Sequence, residues 1–190
     1  MSGTQNGKVT AMQNAAETSR QLLVLDPRLE GWAKLLVDVE PDVAVLVLDP
    51  ARDGLTQVAD VAQEFGDLTA IHIAGHGTPG RLRLGSIMLD AETLPSRADE
   101  LAQLGAGLAA GGALLLWGAD IGQGALGARF IAALSRAVGR DVAAAADRTG
   151  PAKLGGSWNL DMVSGRVDAH PFNAVRARTL EAHPVLLSAR

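Results

Sequence analysis

Residues 70–80 read AIHIAGHGTPG, an apolar run that ends in the pair His76-Gly77. Residues 113–120 read ALLLWGAD, a second apolar run, which ends at Gly118-Ala119. Short apolar runs that stop at glycine-containing turns are typical of buried strands. The two stretches therefore predict neighbouring parallel strands, each with candidate functional residues at its carboxyl end.

Around these two runs, segments with strand-like and helix-like spacing alternate along the chain. We expect further strands at 21–26, 43–48 and 142–146, and helices at 29–39, 54–65, 98–110 and 125–138. Small β-hairpins are expected at 81–90, with a bend at Gly85-Ser86, and around 158–161. Strands that alternate with helices form right-handed crossovers. The sequence therefore predicts an α/β fold, a three-layer α/β/α sandwich with a mostly parallel sheet.

Length and composition fit a single globular domain. The chain has 190 residues, of which 47% are hydrophobic and 20% are charged, and one core typically serves roughly 100–200 residues. We expect a flexible leader at residues 1–20, one folded domain at 21–165, and an irregular C-terminal tail at 166–190 that is a candidate processing segment.

Charge and hydropathy argue against two classes of partner. The net charge is −4, whereas domains that bind nucleic acid usually show a basic face. No apolar run reaches the ~18 residues that a membrane-spanning helix needs. The first twenty residues lack the apolar segment of a Sec signal peptide, which leaves the location open, with the cell surface or secretion by another route as candidates.

His76 and Ala119 are the central candidates for a functional site, because each follows the end of a predicted strand. On adjacent parallel strands their side chains would face each other across a shallow cleft, as a Cys/His dyad requires. The amides of Gly77 and Gly118 would flank a developing oxyanion. The chain contains no Cys, however, and position 119 holds alanine. The simpler interpretation of His76 is a turn residue or a helix cap.

The order and spacing of several motifs resemble those of a known group of enzymes. The motifs lie at residues 48–54, 71–80, 84–85, 115–120 and 154–161, within a span of about 21–162. The chain resembles the caspase–gingipain–separase group of cysteine peptidases. It is more closely similar to a bacterial domain of unknown function at the N-termini of giant, repeat-rich, adhesin-like surface proteins. The resemblance implies a caspase-like fold, a general base at His76 and a Cys nucleophile where this chain has Ala119.

The function expected from this resemblance is that of a cysteine endopeptidase domain. Its substrate would be a polypeptide, either its own chain or a partner surface protein. As it stands the chain should be inactive, as a natural pseudoenzyme or as a Cys→Ala variant. Arginines 166, 176, 178 and 190 would offer cleavable bonds in the tail. The alternative is a non-catalytic module that binds a peptide and cuts nothing.

Two carboxylates are candidates for substrate recognition. Asp147 follows the strand predicted at 142–146, and Asp120 is next to Ala119. A carboxylate can hold an arginine side chain with two hydrogen bonds, so either residue would favour a basic residue before the cut bond. Arg148 could instead favour an acidic one, and Asp147 could simply cap a turn.

A third interpretation comes from residues 122–127, which read GQGALG and are followed by Asp147 twenty residues after Gly127. This pattern resembles a dinucleotide-binding fingerprint. The glycine loop of such a site follows its strand directly, however, whereas here residues 118–121 intervene. A glycine-rich entry to a packed helix is the simpler explanation. We expect no cofactor and no metal, and we expect His72 to be a hydrogen-bonded core histidine.

Overall fold

The computed structural model describes residues 20–167 and 172–187. The leader predicted at 1–20 therefore lies outside the described residues, apart from Arg20, as do residues 168–171 and 188–190 of the predicted tail. The strands are β1 (Gln21–Leu25), β2 (Val43–Val47), β3 (Leu68–Ala74), β4 (Gly77–Thr78), β5 (Arg81–Leu84), β6 (Ile87–Asp90), β7 (Leu108–Leu116), β8 (Asp141–Ala144) and β9 (Met162–Ser164). The helices are α1 (Gly54–Phe65), α2 (Ala98–Ala106), α3 (Gly124–Val138) and α4 (Ala177–Glu181), with 3₁₀ turns at Trp32–Leu36, Leu94–Arg97 and Ala152–Leu154.

A six-stranded sheet forms the centre of the fold, in the order β2-β1-β3-β7-β8-β9. The first five strands in this order are parallel, and β9 is antiparallel to β8. β1, β3, β7 and β8 are buried on both faces over most of their length, which explains why they read as continuous apolar runs. The predicted α/β fold with a mostly parallel sheet between two layers is confirmed.

The two faces of the sheet are covered differently. Helices α1, α2 and α3 and the β5-β6 hairpin pack on one face, around Ile71, Ile73, Leu114 and Leu116. The opposite face carries the 3₁₀ turn at Trp32–Leu36 and the C-terminal segment 172–187. Residues 172–187, which the sequence analysis assigned to an irregular tail, thus contribute buried side chains to this second layer: Phe172, Ala174, Val175, Leu180, His183 and Leu187.

Several boundaries differ from the sequence-based expectations. The helix expected at 29–39 is only the 3₁₀ turn Trp32–Leu36, because Gly31 before it adopts φ +75°, which breaks a right-handed helix. Strand β7 begins at Leu108 instead of residue 113. The hairpin expected around 158–161 is wrong, because the chain there runs on into β9, which pairs with β8. The hairpin at 81–90 is confirmed, with Gly85 at φ +56° in its bend.

None of the helices among the described residues is long and apolar enough to cross a membrane.

Acid should loosen the docking of the segment that contains α4. The Arg178 guanidinium donates to both carboxylate oxygens of Asp38, at 2.9 and 3.0 Å, and the Thr179 hydroxyl donates at 2.7 Å. The bonds from Arg178, followed by that from Thr179, lower the pKa of Asp38 to about 2 from an ordinary value of 3.8. Because the folded pKa is depressed, this stabilisation is present above pH 3.8 and is lost as the pH falls towards about 2.

Amide hydrogen exchange of residues 176–183 between pH 5 and pH 2 would measure this effect. The Asp38→Asn variant should exchange faster at pH 5 and show less change with pH. Equal pH dependence in the two proteins would contradict a role for Asp38.

Candidate active site

Four parallel strands end at the same edge of the sheet, and this edge forms the candidate active site. Asp26 follows β1, His76 follows β3, Ala119 follows β7, and Thr149 lies in the loop after β8. In open α/β sheets, ligands bind at the carboxyl ends of the strands. This is the location predicted from the sequence for His76 and Ala119, whereas Asp26 and Thr149 are not among the candidates that the sequence indicates.

The turn that carries His76 lies directly against the turn that carries Ala119. A Cβ atom placed on Gly118 would lie 2.7 Å from the carbonyl oxygen of Gly75 and 3.3 Å from the amide nitrogen of Gly77. A Cβ on Gly77 would overlap the side chain of Ile121. Glycine at 77 and 118 therefore allows the two turns to approach each other, and the residues on either side of His76 lie against Gly118 and Ile121.

Ala119 is only 2% exposed, and its backbone is tied to the C-terminal segment. Its amide donates a hydrogen bond of 3.2 Å to the carbonyl oxygen of Leu187, in the C-terminal segment. That the amides of Gly77 and Gly118 flank an oxyanion stays a prediction, beside this hydrogen bond from the next residue along the chain. Asp120 has φ +62°, a conformation uncommon for residues other than glycine and one that concentrates at functional sites.

A buried ion pair lies beside the His76 turn. Asp26 is fully buried, and its amide donates to the Ala74 carbonyl at 3.0 Å. The Arg28 Nε donates to its carboxylate at 2.9 Å. The Arg28 Nη2 donates to the same carboxylate and, at 2.7 Å, to the Gly85 carbonyl. Burial by itself raises the pKa of Asp26, but hydrogen bonds from Arg28 and the attraction of Arg28 and His76 outweigh it, so the pKa lies below its usual range. A carboxylate charge is therefore maintained close to His76.

The sequence did contain a signal for this pair. Residues 21–28 read as a buried strand followed by Asp-Pro-Arg, which puts charged residues at the carboxyl end of a strand. The signal is weak, because an Asp after a strand is also a common turn residue.

Stacked aromatic rings form part of the buried core next to the candidate site. Trp117 and Phe172 stack with ring centroids 4.5 Å apart and an interplanar angle of 16°. Trp117 Nε1–H donates to His72 Nδ1 at 3.1 Å, so His72 Nε2–H donates to the Gln21 side-chain oxygen at 2.9 Å. Burial lowers the pKa of His72 to about 3, which keeps the ring neutral. His72 is thus a core histidine, as the sequence predicted.

The two carboxylates proposed for substrate recognition occupy different positions. A cavity of about 350 Å³ opens beside Ala119, and its walls include Gly77, Asp120, Arg148 and Leu186. Asp147 is exposed to solvent and does not line this cavity. Among the candidates, Asp120 and Arg148 therefore flank the cleft, one of each charge.

The glycines at 122–127 pack closely against their surroundings. Gly122 donates to the Ala145 carbonyl at 2.8 Å, and a Cβ on Gly127 would overlap the backbone of Gly122. Close packing at the start of α3 therefore explains why these positions are glycines. This is the simpler of the two interpretations of the motif. In the described part of the chain, no group of three or more His, Cys, Asp or Glu side chains is arranged to hold a metal ion.

Comparison with known proteins gives one family. A family model described as a domain of unknown function (DUF4347) matches residues 22–187. No match was found among curated proteins or among solved structures. The matched span includes all four strand ends of the candidate site and extends through Leu187.

Proposed function

The chain belongs to the DUF4347 family of domains of unknown function, and we propose that its fold is that of a caspase-like cysteine endopeptidase with Ala119 in the nucleophile position. The observation that carries the proposal is the hydrogen bond from the Ala119 amide to the carbonyl oxygen of a chain segment in the cleft, next to the His76 turn. An amide that donates to a substrate carbonyl is the main element of an oxyanion hole.

The chemistry requires a thiol at position 119. In the Ala119→Cys variant, His76 would take the thiol proton, and the sulfur would add to the carbonyl carbon of the substrate. The oxygen of the resulting tetrahedral centre would receive the hydrogen bond of the residue 119 amide. His76 would then return the proton to the leaving amine as the C–N bond breaks, and water would hydrolyse the thioester and regenerate the thiol.

Asp26 is proposed as a positioning residue in this scheme. Its buried carboxylate lies close enough to the His76 turn for the attraction of His76 to lower the pKa of Asp26. A fixed carboxylate stabilises the imidazolium that forms when His76 accepts the thiol proton. Arg28 limits this effect, because it pairs with the same carboxylate.

Restoring the thiol should produce cleavage. We expect the intact mass of the Ala119→Cys chain to fall with time, while the original chain stays unchanged. Adding His76→Ala to Ala119→Cys should slow cleavage by about 10²–10⁴-fold, the usual contribution of a general base. Incubation with and without calcium, monitored by mass spectrometry, would measure this. An Ala119→Cys chain that stays intact in both conditions, or is cut equally fast without His76, would contradict the proposal.

A non-catalytic peptide-binding module is the second candidate. It is favoured by the residue present at 119, an alanine that has no nucleophilic atom, and by the peptide segment held in the cleft. In this case the protein would bind an extended peptide through backbone hydrogen bonds without cutting it. The Ala119→Cys experiment separates the two candidates, because only an endopeptidase fold gains cleavage from the thiol. For both candidates, the polypeptide that the site binds is proposed to be this chain itself or a partner surface protein.

A further inference from the structure

We propose that residues 185–187 of this chain lie in the cleft as a substrate does, and that the peptide bond after Leu187 is the bond that the site cuts. This inference rests on the proposed endopeptidase function and names its substrate. It places an apolar residue, not an arginine, before the cut bond.

Backbone hydrogen bonds hold Leu187 from both sides. Its amide donates to the Thr149 carbonyl at 2.8 Å, in an antiparallel bridge, and its carbonyl accepts from the Ala119 amide at 3.2 Å. The segment thus pairs with the loop that follows β8 through a single antiparallel bridge at Leu187. Backbone pairing is a common mode of peptide recognition, in which backbone bonds fix the register. In this register, the carbonyl that accepts the hydrogen bond of the residue 119 amide is that of Leu187.

The side chains of the segment fit the cleft. Leu187 is 1% exposed and belongs to the apolar cluster that contains Trp117 and Trp158. The Leu186 side chain rests on two glycines: a Cβ on Gly150 or on Gly156 would lie 2.7 or 2.6 Å from its Cδ2 atom. Apolar side chains therefore fill both positions, and a side chain at residue 150 or 156 would have to displace the end of Leu186.

A third contact anchors the segment where it enters the cleft. His183 is 1% exposed, and its Nδ1 lies 2.7 Å from the Val185 carbonyl oxygen. Its Nε2 lies 3.1 Å from the Gly31 carbonyl oxygen, in the layer that covers the sheet. The segment is therefore connected to the body of the domain just before the two leucines.

The geometry at residue 119 fits attack on this carbonyl. The β-carbon of a residue lies about 2.5 Å from its own amide nitrogen. The side chain of residue 119 is therefore attached close to the amide that donates to the Leu187 carbonyl oxygen. In Ala119→Cys, the sulfur would form a thioester with the Leu187 carbonyl carbon, and the bond to the nitrogen of Ser188 would break. The released amine would carry the proton from His76, and water would convert the thioester to the Leu187 carboxylate.

The test is to locate the cut in the Ala119→Cys chain by mass spectrometry of the whole protein and of its peptides. We expect a product that ends at Leu187 and lacks Ser188, Ala189 and Arg190. In the same background, Leu187→Glu should slow the cut about tenfold or more, because it puts a charge into an apolar site, whereas Leu187→Met should change the rate little. Circular dichroism of Leu187→Glu in the chain that keeps Ala119 checks folding without interference from cleavage.

The outcomes separate the two proposals. A product that ends at Leu187 supports both. A His76-dependent cut at any other bond, for example after one of the arginines, supports an endopeptidase and overturns the inference about Leu187. A chain that stays intact overturns both. Because the position of the new C-terminus is itself decisive, a Leu187→Glu variant that fails to fold does not affect the test.

Discussion

Replacing Trp117 by alanine should lower the free energy of unfolding by about 3–5 kcal/mol, the usual cost of removing a large buried aromatic side chain. Trp117 is fully buried, stacks on Phe172 at 4.5 Å and donates its indole hydrogen to His72. The substitution removes the stack, opens a cavity under the cleft and leaves the His72 Nδ1 atom without its donor. Urea denaturation followed by circular dichroism would measure the change.

Two variants distinguish packing from hydrogen bonding in this result. Trp117→Phe keeps an aromatic ring but not the donor, and should cost about 1–3 kcal/mol, the penalty for an unpaired buried acceptor. Trp32→Ala removes a half-buried tryptophan from the 3₁₀ turn and should cost less than Trp117→Ala. A loss below 1 kcal/mol for Trp117→Ala would mean that the aromatic stack does not hold the C-terminal layer on the sheet.

Arg28→Ala should destabilise the protein by about 3 kcal/mol at pH 7, near the lower end of the range for breaking a buried ion pair, because Arg28 is 29% exposed. The fully buried carboxylate of Asp26 would then keep only its bond from the residue 28 amide. The pairing in the original chain lowers the pKa of Asp26. That pair therefore stabilises the protein above the unfolded pKa, and its contribution is lost as the pH falls through the folded pKa.

Without Arg28 the shift in the pKa of Asp26 should change direction, since burial alone raises this pKa. The stability difference between the original chain and Arg28→Ala should therefore shrink as the pH falls from 7 to 4, where the buried carboxyl can take a proton. Adding Asp26→Asn to Arg28→Ala should recover part of the loss at pH 7, because it removes the unpaired charge. Chemical denaturation of the three variants and the original chain at both pH values would measure this, and a pH-independent loss in Arg28→Ala would contradict it.

Much of the sheet could be predicted from the sequence because its signals are local. The runs before His76 and before Ala119 are mainly apolar, with His72 as the polar exception in the first, as is typical of strands buried on both faces. Their parallel pairing follows from the helices between them. The proximity of His76 and Ala119 follows in turn, since neighbouring parallel strands end at the same edge, and the structure brings their two turns into contact.

The sequence by itself thus determined the five parallel strands, most helices and the edge of the sheet at which the site lies, since each depends on periodicity within about ten residues. Only the tertiary structure decided what lies in the cleft. Arg178 binds Asp38 from 140 residues away, and Leu187 contacts Thr149 and Ala119, which are also distant from it in the sequence. Such contacts join residues that no local pattern relates. A segment whose apolar residues follow neither a helical nor a strand period reads as a tail, because only the folded sheet provides the surface on which its leucines are buried.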